Sequence, residues 1–103
     1  MFDWKTALSD LFAGAVNQEP LEDAAAVMVS VSARYPGYHA ECLAALKGGI
    51  QACDNGSMDA ISAINKSGYR VTSPEEAKEL LVEFLGIYEE KYRQAVESKS
   101  PSH

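Results

Sequence analysis

The stretch 72–96, TSPEEAKELLVEFLGIYEEKYRQAV, predicts a long amphipathic helix and with it the fold class. Ser73 followed three residues later by Glu76 is a capping-box pattern, and Pro74 suits the first position of a helix. Apolar side chains then recur at helical spacing on one side: Ala77, Leu81, Phe84, Leu85, Tyr88, Tyr92 and Ala95. We therefore expect a C-terminal helix with one buried face and one solvated face.

Two further helices are predicted ahead of this one, near the start of the chain. Helix one is expected from Trp4 to about Val16, with Asp3 as its N-cap. Helix two is expected to begin at Pro20 and to stop at Pro36. The alternation of valines at 27, 29 and 31 also fits a strand, but the alanine run and the lack of a second strand favour a helix.

The middle of the chain predicts a third helix and a short fourth one. Helix three carries His39, Cys42, Leu43, Leu46, Ile50 and Cys53 on one side. Gly48 and Gly49 either weaken this helix or let a neighbouring helix approach closely. Ser57 is expected to cap helix four, which packs through Met58, Ile61 and Ile64 and ends at Gly68.

Short connections between these segments favour antiparallel neighbours. The sequence thus predicts an all-α fold, a single-domain antiparallel bundle of four to five helices with a long C-terminal helix. Residues 1–97 are expected to form the bundle, and the polar residues 98–103 a flexible tail.

Composition limits the kinds of partner and the location that we expect. With 103 residues and a net charge of -6, the chain is one small acidic domain, unsuited to direct nucleic-acid or membrane binding. It has no stretch that resembles a secretion signal, which predicts a cytoplasmic protein. Cys42 and Cys53 would lie about 16 Å apart on one helix, so we expect two reduced thiols rather than a disulfide.

The first candidate site is the outer side of the C-terminal helix. There Glu75, Glu79, Glu83 and Glu90, which we call the acidic face, fall together opposite the apolar side. Successive like charges at four-residue spacing cost helix stability, although Lys78 and Arg93 offset part of the repulsion. Such a face suits a basic partner, but it is equally typical of a solvated helix surface in an acidic protein.

The second candidate site is one pole of the bundle. If the helices alternate in direction, the turn after helix two and the turn before helix five share one end. This end would then gather Tyr35, Tyr38, His39, Tyr69 and Arg70. These side chains suit an anionic ligand or an acidic loop. The alternative is that the tyrosines pack their loops onto the core and that Arg70 pairs with a glutamate.

Metal binding and catalysis find little support in the sequence. His39 and Cys42 are three residues apart on one helix face, a spacing at which both could bind one metal ion. A closed zinc site, however, needs four ligands. The two residues also lack an orienting group for nucleophilic catalysis. We therefore expect no catalytic residue, no metal and no cofactor.

The leading functional hypothesis is a non-catalytic protein-protein interaction module, an adaptor, inhibitor or immunity-type antagonist, with another protein as partner. An acidic surface also suits a basic, nucleic-acid-handling partner. The first alternative is a small-molecule binder, with an apolar cavity lined by Leu46, Ile50, Phe84 and Tyr88 and a mouth at Tyr38, His39 and Arg70. The second alternative is a homodimer that associates through apolar residues beside the acidic face, Val82 and Ile87.

Overall fold

The computed structural model describes residues 3–16, 20–65 and 69–99, and within these ranges it contains helices and no strand. The five α-helices are α1 (Trp4–Leu11), α2 (Leu21–Arg34), α3 (Pro36–Asp54), α4 (Asp59–Asn65) and α5 (Pro74–Lys99). The prediction of an all-α bundle with a long C-terminal helix is therefore confirmed. α5 continues two residues into the segment expected to be a tail, and residues 100–103 lie outside the described part.

The start of α1 is fixed by Asp3, as predicted. Its carboxylate accepts hydrogen bonds from the Lys5 N–H at 3.1 Å and from the Thr6 hydroxyl at 2.7 Å. The helix then widens into a π-helical turn, Phe12–Val16. Phe12, the first residue of this turn, is fully buried. Its ring packs edge-on against the ring of Phe84 in α5, with ring centroids 5.7 Å apart.

The second segment is a helix, so the strand alternative is excluded. Only Tyr35 separates α2 from α3, because Pro36 cannot continue a helix but suits the first position of the next one. The Tyr35 N–H closes the last turn of α2 by donating to the Val31 carbonyl, and the Tyr35 carbonyl accepts from Tyr38. Two helices therefore meet at a one-residue corner.

The glycine pair in α3 allows close packing between helices. A Cβ atom added to Gly48 would lie 2.7 Å from Trp4 Cγ, and one added to Gly49 would lie 2.9 Å from Leu81 Cδ1. Any side chain at Gly48 would therefore displace the indole of α1. Of the two roles expected for this pair, the structure shows the close approach, with α3 packed between α1 and α5.

The short helix α4 is anchored at both ends by side-chain hydrogen bonds. Ser57 Oγ accepts from the Asp59 N–H at 3.2 Å, and Asn65 both donates to and accepts from the backbone of Val71. Ile61 and Ile64 are buried as expected. The expectation for Met58 is wrong: it precedes the helix and is 58% exposed. Gly68, expected to end this helix, lies outside the described residues.

α5 begins as the capping pattern predicts, with one difference. The Glu76 N–H donates to Ser73 Oγ at 3.2 Å, but the Glu76 carboxylate accepts from the N–H and the hydroxyl of Thr72, one residue before the serine. These bonds lower the pKa of Glu76. The buried side of the helix is formed by Ala77, Leu81, Phe84 and Tyr88.

α3 and α5 run antiparallel, which two contacts at opposite ends of α3 establish. Asp54, at the end of α3, pairs with Lys78 near the start of α5 at 2.5 Å. His39, in the first turn of α3, bonds with Tyr88 well along α5. In the described ranges, no helix is long and apolar enough to cross a bilayer.

Candidate functional site

The acidic face of α5 points outward, as its sequence pattern predicts. All four of its glutamates are exposed. Glu90 is paired, because Arg93 bridges it to Glu97, and Gln94 donates a further hydrogen bond to it. The C-terminal end of the acidic face is therefore partly neutralised from within the helix.

The N-terminal end of the acidic face is not neutralised in this way. The lysine expected to offset it, Lys78, instead reaches across to Asp54 of α3. Among the described residues, no lysine or arginine lies within ion-pair distance of Glu75, Glu79 or Glu83. These three carboxylates are about 6 Å apart along the helix axis, at four residues and 1.5 Å per residue. The result is a row of exposed negative charge with no ion-pair partner in the described part of the chain.

The predicted pole is divided by the fold. His39 bonds with Tyr88, which lies fourteen residues after Pro74, about 21 Å along α5. Tyr69 and Arg70, in contrast, precede the first residue of that helix. The two groups therefore lie at different levels of α5, because the corner between α2 and α3 packs against the middle of α5 rather than beside its start.

Each half of that pole also has its own surroundings. Tyr38 and Tyr69 are partly buried against the core, as the packing alternative predicted, whereas Tyr35 and Arg70 are exposed. His39 stacks on Tyr92, with ring centroids 3.7 Å apart. We conclude that the structure does not gather these five side chains into one site.

A buried hydrogen-bonded cluster joins three helices at Tyr88. The Tyr88 hydroxyl lies 2.7 Å from Ser32 Oγ of α2 and 2.7 Å from His39 Nδ1 of α3. Tyr88 is fully buried and Ser32 is only 3% exposed. The apolar spacing of the C-terminal helix predicted a buried Tyr88, but no pattern predicted a role for Ser32. The sequence signal for its burial is its position four residues after Met28, on the buried side of α2.

A surface groove lies between α1 and the first half of α3, and we call it the α1–α3 groove. Its volume is about 670 Å³, and it is lined by Asp3, Thr6, Ala7, Asp10, Leu11, Gly14, Tyr38, Glu41, Cys42 and Ala45. This is not the cavity expected from the sequence. Leu46, Phe84 and Tyr88 have no exposed surface, because they pack in the core, and Ile50 is partly buried against it.

Two side chains that line the groove, Cys42 and Tyr38, have raised pKa values. Burial raises the pKa of the Cys42 thiol to about 11, and burial also raises the pKa of the Tyr38 hydroxyl beside it. Both cysteines are free thiols and both are buried. In the part of the chain that the structure describes, no three metal-ligating side chains come together, and His39 Nδ1 is already engaged by Tyr88.

These buried groups predict that stability falls in alkali. Burial raises the pKa of Cys42 from 9.0 to about 11 and that of Tyr88 from 10.0 to about 12. The folded protein therefore keeps protons that the unfolded chain releases, so the free energy of unfolding declines as pH rises from 9 towards 12. By pH 11 we expect a loss of about 2 kcal/mol from Cys42 and about 1 kcal/mol from Tyr88, measured by urea unfolding at pH 7, 9, 10 and 11.

Alkylation of the thiols provides an independent check on the alkaline prediction. At pH 7.5 the native protein should react with iodoacetamide at least tenfold more slowly than the urea-unfolded chain, since a protonated, buried thiol is a poor nucleophile. A stability profile that stays level up to pH 11 would contradict the assigned proton affinities.

The fold and these surfaces together define a small all-α protein with an acidic exterior helix and an acidic interhelical groove. Comparison with known proteins adds no relative: no family model, no curated protein and no solved structure matches this chain.

Proposed function

We propose that this protein is a non-catalytic protein-protein interaction module whose acidic face binds a basic partner protein. The observation that carries the proposal is the row of Glu75, Glu79 and Glu83, which is exposed on α5 and has no ion-pair partner among the residues that the structure describes. Like charges at this spacing disfavour the helix by a few tenths of a kcal/mol per pair. A basic partner would remove that repulsion on binding.

The chemistry of the row suits recognition better than proton transfer. Its carboxylates are solvated, and general acids and bases depend on buried, perturbed groups. Complementary charge instead accelerates association and selects among partners. A straight row of negative charges also resembles the charge pattern of a nucleic-acid strand. A basic, nucleic-acid-handling protein is therefore the partner class that we favour, with this chain as its inhibitor or antagonist.

The proposed setting is the cytoplasm. Two free, buried thiols in a chain of this size are typical of a reducing compartment. The basic partner would then be another cytoplasmic protein.

The proposal predicts a charge-specific loss of partner binding. We expect the double substitution Glu79→Gln, Glu83→Gln to weaken binding at least tenfold at 50 mM salt, because two of the three uncompensated charges are lost. The matched control is Glu22→Gln, Asp23→Asn, which removes the same charge from exposed positions in the first turn of α2. The partner is captured from a cell extract on immobilised protein, purified, and titrated against all three forms by calorimetry.

The salt dependence of binding completes this test. The affinity of the partner for the wild-type protein should fall steeply between 50 and 300 mM salt. Its affinity for the Glu79→Gln, Glu83→Gln variant should depend much less on salt. The proposal is rejected if the purified partner is acidic, or if the two double variants bind it equally well.

Self-association is the second candidate function, and exposed apolar side chains on α5 favour it. Val82 is 49% exposed and Val96 is 51% exposed, whereas Ile87 is partly buried. Light scattering separates the two candidates, because a dimer through α5 would double the mass of the 11.1 kDa chain.

A further inference from the structure

We propose that the α1–α3 groove is a second docking site, which receives a short basic amphipathic helix from a partner protein. This inference goes beyond the proposed function, because it concerns a different surface formed by different helices. It rests on the shape of the groove, the chemistry of its floor and the charges along its edges.

The shape of the groove fits a helix. Its lining extends from Asp3, the N-cap of α1, to Gly14 in the following π-helical turn. These two positions are eleven residues or about 16 Å apart, which is the length of three helical turns. α1 packs along α3, with Trp4 against Gly48 and Leu8 against Gly49, and both helices line the groove. The groove is open to solvent, whereas small-molecule sites usually enclose their ligand.

The floor of the groove is apolar and made mostly of small side chains. Ala7 and Leu11 line it from α1, and Cys42 and Ala45 line it from α3. Small residues let the backbone of a docking helix come close, as they do between packed helices. Apolar anchors at positions i and i+4 of the incoming helix would contact this floor, which is the usual mode of helix-in-groove recognition.

The edges of the groove carry negative charge from both sides. Asp3 and Asp10 lie two turns apart on α1, and Glu41 faces them from α3; all three are exposed. The Thr6 hydroxyl and the Lys5 N–H lower the pKa of Asp3, which keeps that carboxylate ionised.

No cation of the chain lines the groove in the ranges that the structure describes. The neighbouring Lys5 is turned away, since its ammonium pairs with Asp59 of α4 at 3.3 Å. The seven-residue spacing of Asp3 and Asp10, about 10 Å, matches lysines or arginines seven residues apart on one side of a helix. Charge complementarity therefore selects a basic helix as the occupant.

The test uses a synthetic helix as the probe. It is a 15-residue peptide, acetylated and amidated, with lysine at every seventh position, leucine and alanine between the lysines on the same side, and glutamine elsewhere. Its control is a scrambled peptide of the same composition. Binding to the ¹⁵N-labelled full chain is followed by amide chemical shifts, and the dissociation constant is taken from their titration.

We expect the shift changes to concentrate at Ala7, Leu11, Cys42 and Ala45. The variant Asp10→Asn, Glu41→Gln should weaken peptide binding about tenfold, because it removes one charge from each edge. Both side chains are exposed, so thermal unfolding of this variant should match the wild type. The variant Glu22→Gln, Asp23→Asn should bind as the wild type does.

Three outcomes would overturn the inference. Equal binding of the scrambled peptide would show attraction to charge alone. Shift changes on α5, with none at the groove residues, would place the peptide elsewhere. Finally, if spermidine added in place of the peptide shifts the same groove amides at lower concentration, the occupant is a small polyamine.

Discussion

Replacing Tyr88 with phenylalanine is expected to lower the free energy of unfolding by about 2–4 kcal/mol. The ring and its packing survive, so the loss comes from the hydroxyl alone. That hydroxyl is the partner of Ser32 Oγ and His39 Nδ1, each 2.7 Å away. Without it, the buried serine loses a hydrogen bond that water cannot readily replace, and the partly buried imidazole loses its bond to the tyrosine.

A double-mutant cycle isolates the contribution of the Ser32 bond. Ser32→Ala removes the serine hydroxyl, and the combined variant Ser32→Ala, Tyr88→Phe leaves no unpaired serine oxygen. We expect the combined variant to lose at least 1 kcal/mol less than the sum of the two single losses. Tyr35→Phe is the matched control, since its side chain is 65% exposed and should change stability by less than about 0.5 kcal/mol. Strict additivity in urea unfolding would show that the hydroxyls do not cooperate.

The second large effect is expected at the contact between α1 and α3. Gly48→Val should cost about 2–3 kcal/mol, because even a Cβ atom there would lie 2.7 Å from Trp4 Cγ and 2.8 Å from Trp4 Cβ. These indole and Cβ atoms cannot swing aside as the end of a flexible side chain can. α1 must therefore move away from α3 as a unit.

Gly86 in α5 provides the matched control for this substitution. It is also a helical glycine, but a Cβ atom there would meet nothing within 4 Å. Gly86→Val should change stability by less than about 0.5 kcal/mol, and Gly86→Ala should raise it by up to about 1 kcal/mol. Trp4 is the only tryptophan of the chain, so its fluorescence should shift to longer wavelength in Gly48→Val. Equal effects at the two glycines would disprove the close approach.

Local features of the fold could be predicted because they depend on neighbouring residues alone. Asp3, Ser73 and Pro74 mark helix starts through backbone chemistry that is complete within four residues. The buried side of α5 likewise follows from spacing along a single helix. The departures are also local: Glu76 reaches one residue further back than the pattern suggests, and Met58 falls just outside its helix.

The candidate sites were harder to predict, since they depend on how the helices are arranged in space. The pole hypothesis required two turns to share one end of the bundle, and the one-residue corner at Tyr35 instead packs beside Tyr88. The sequence allows Lys78 to pair with a glutamate of α5 or with an acidic residue of another helix. The packing of α3 against α5 brings Asp54 within reach, and Lys78 pairs with it. The α1–α3 groove is lined by small residues of two helices. Residue spacing within one helix does not predict which helices pack side by side.

The shared hydroxyl of Tyr88 has one more consequence, which concerns cooperativity. A bundle of short helices is prone to fray one segment at a time, but here α2, α3 and α5 are pinned to a single oxygen atom. Detaching α5 would break both bonds at once, whereas detaching α2 or α3 would break only its own bond to that oxygen. The hydroxyl therefore couples α5 to both of its neighbours, and we expect α5 to be the last of the three helices to open.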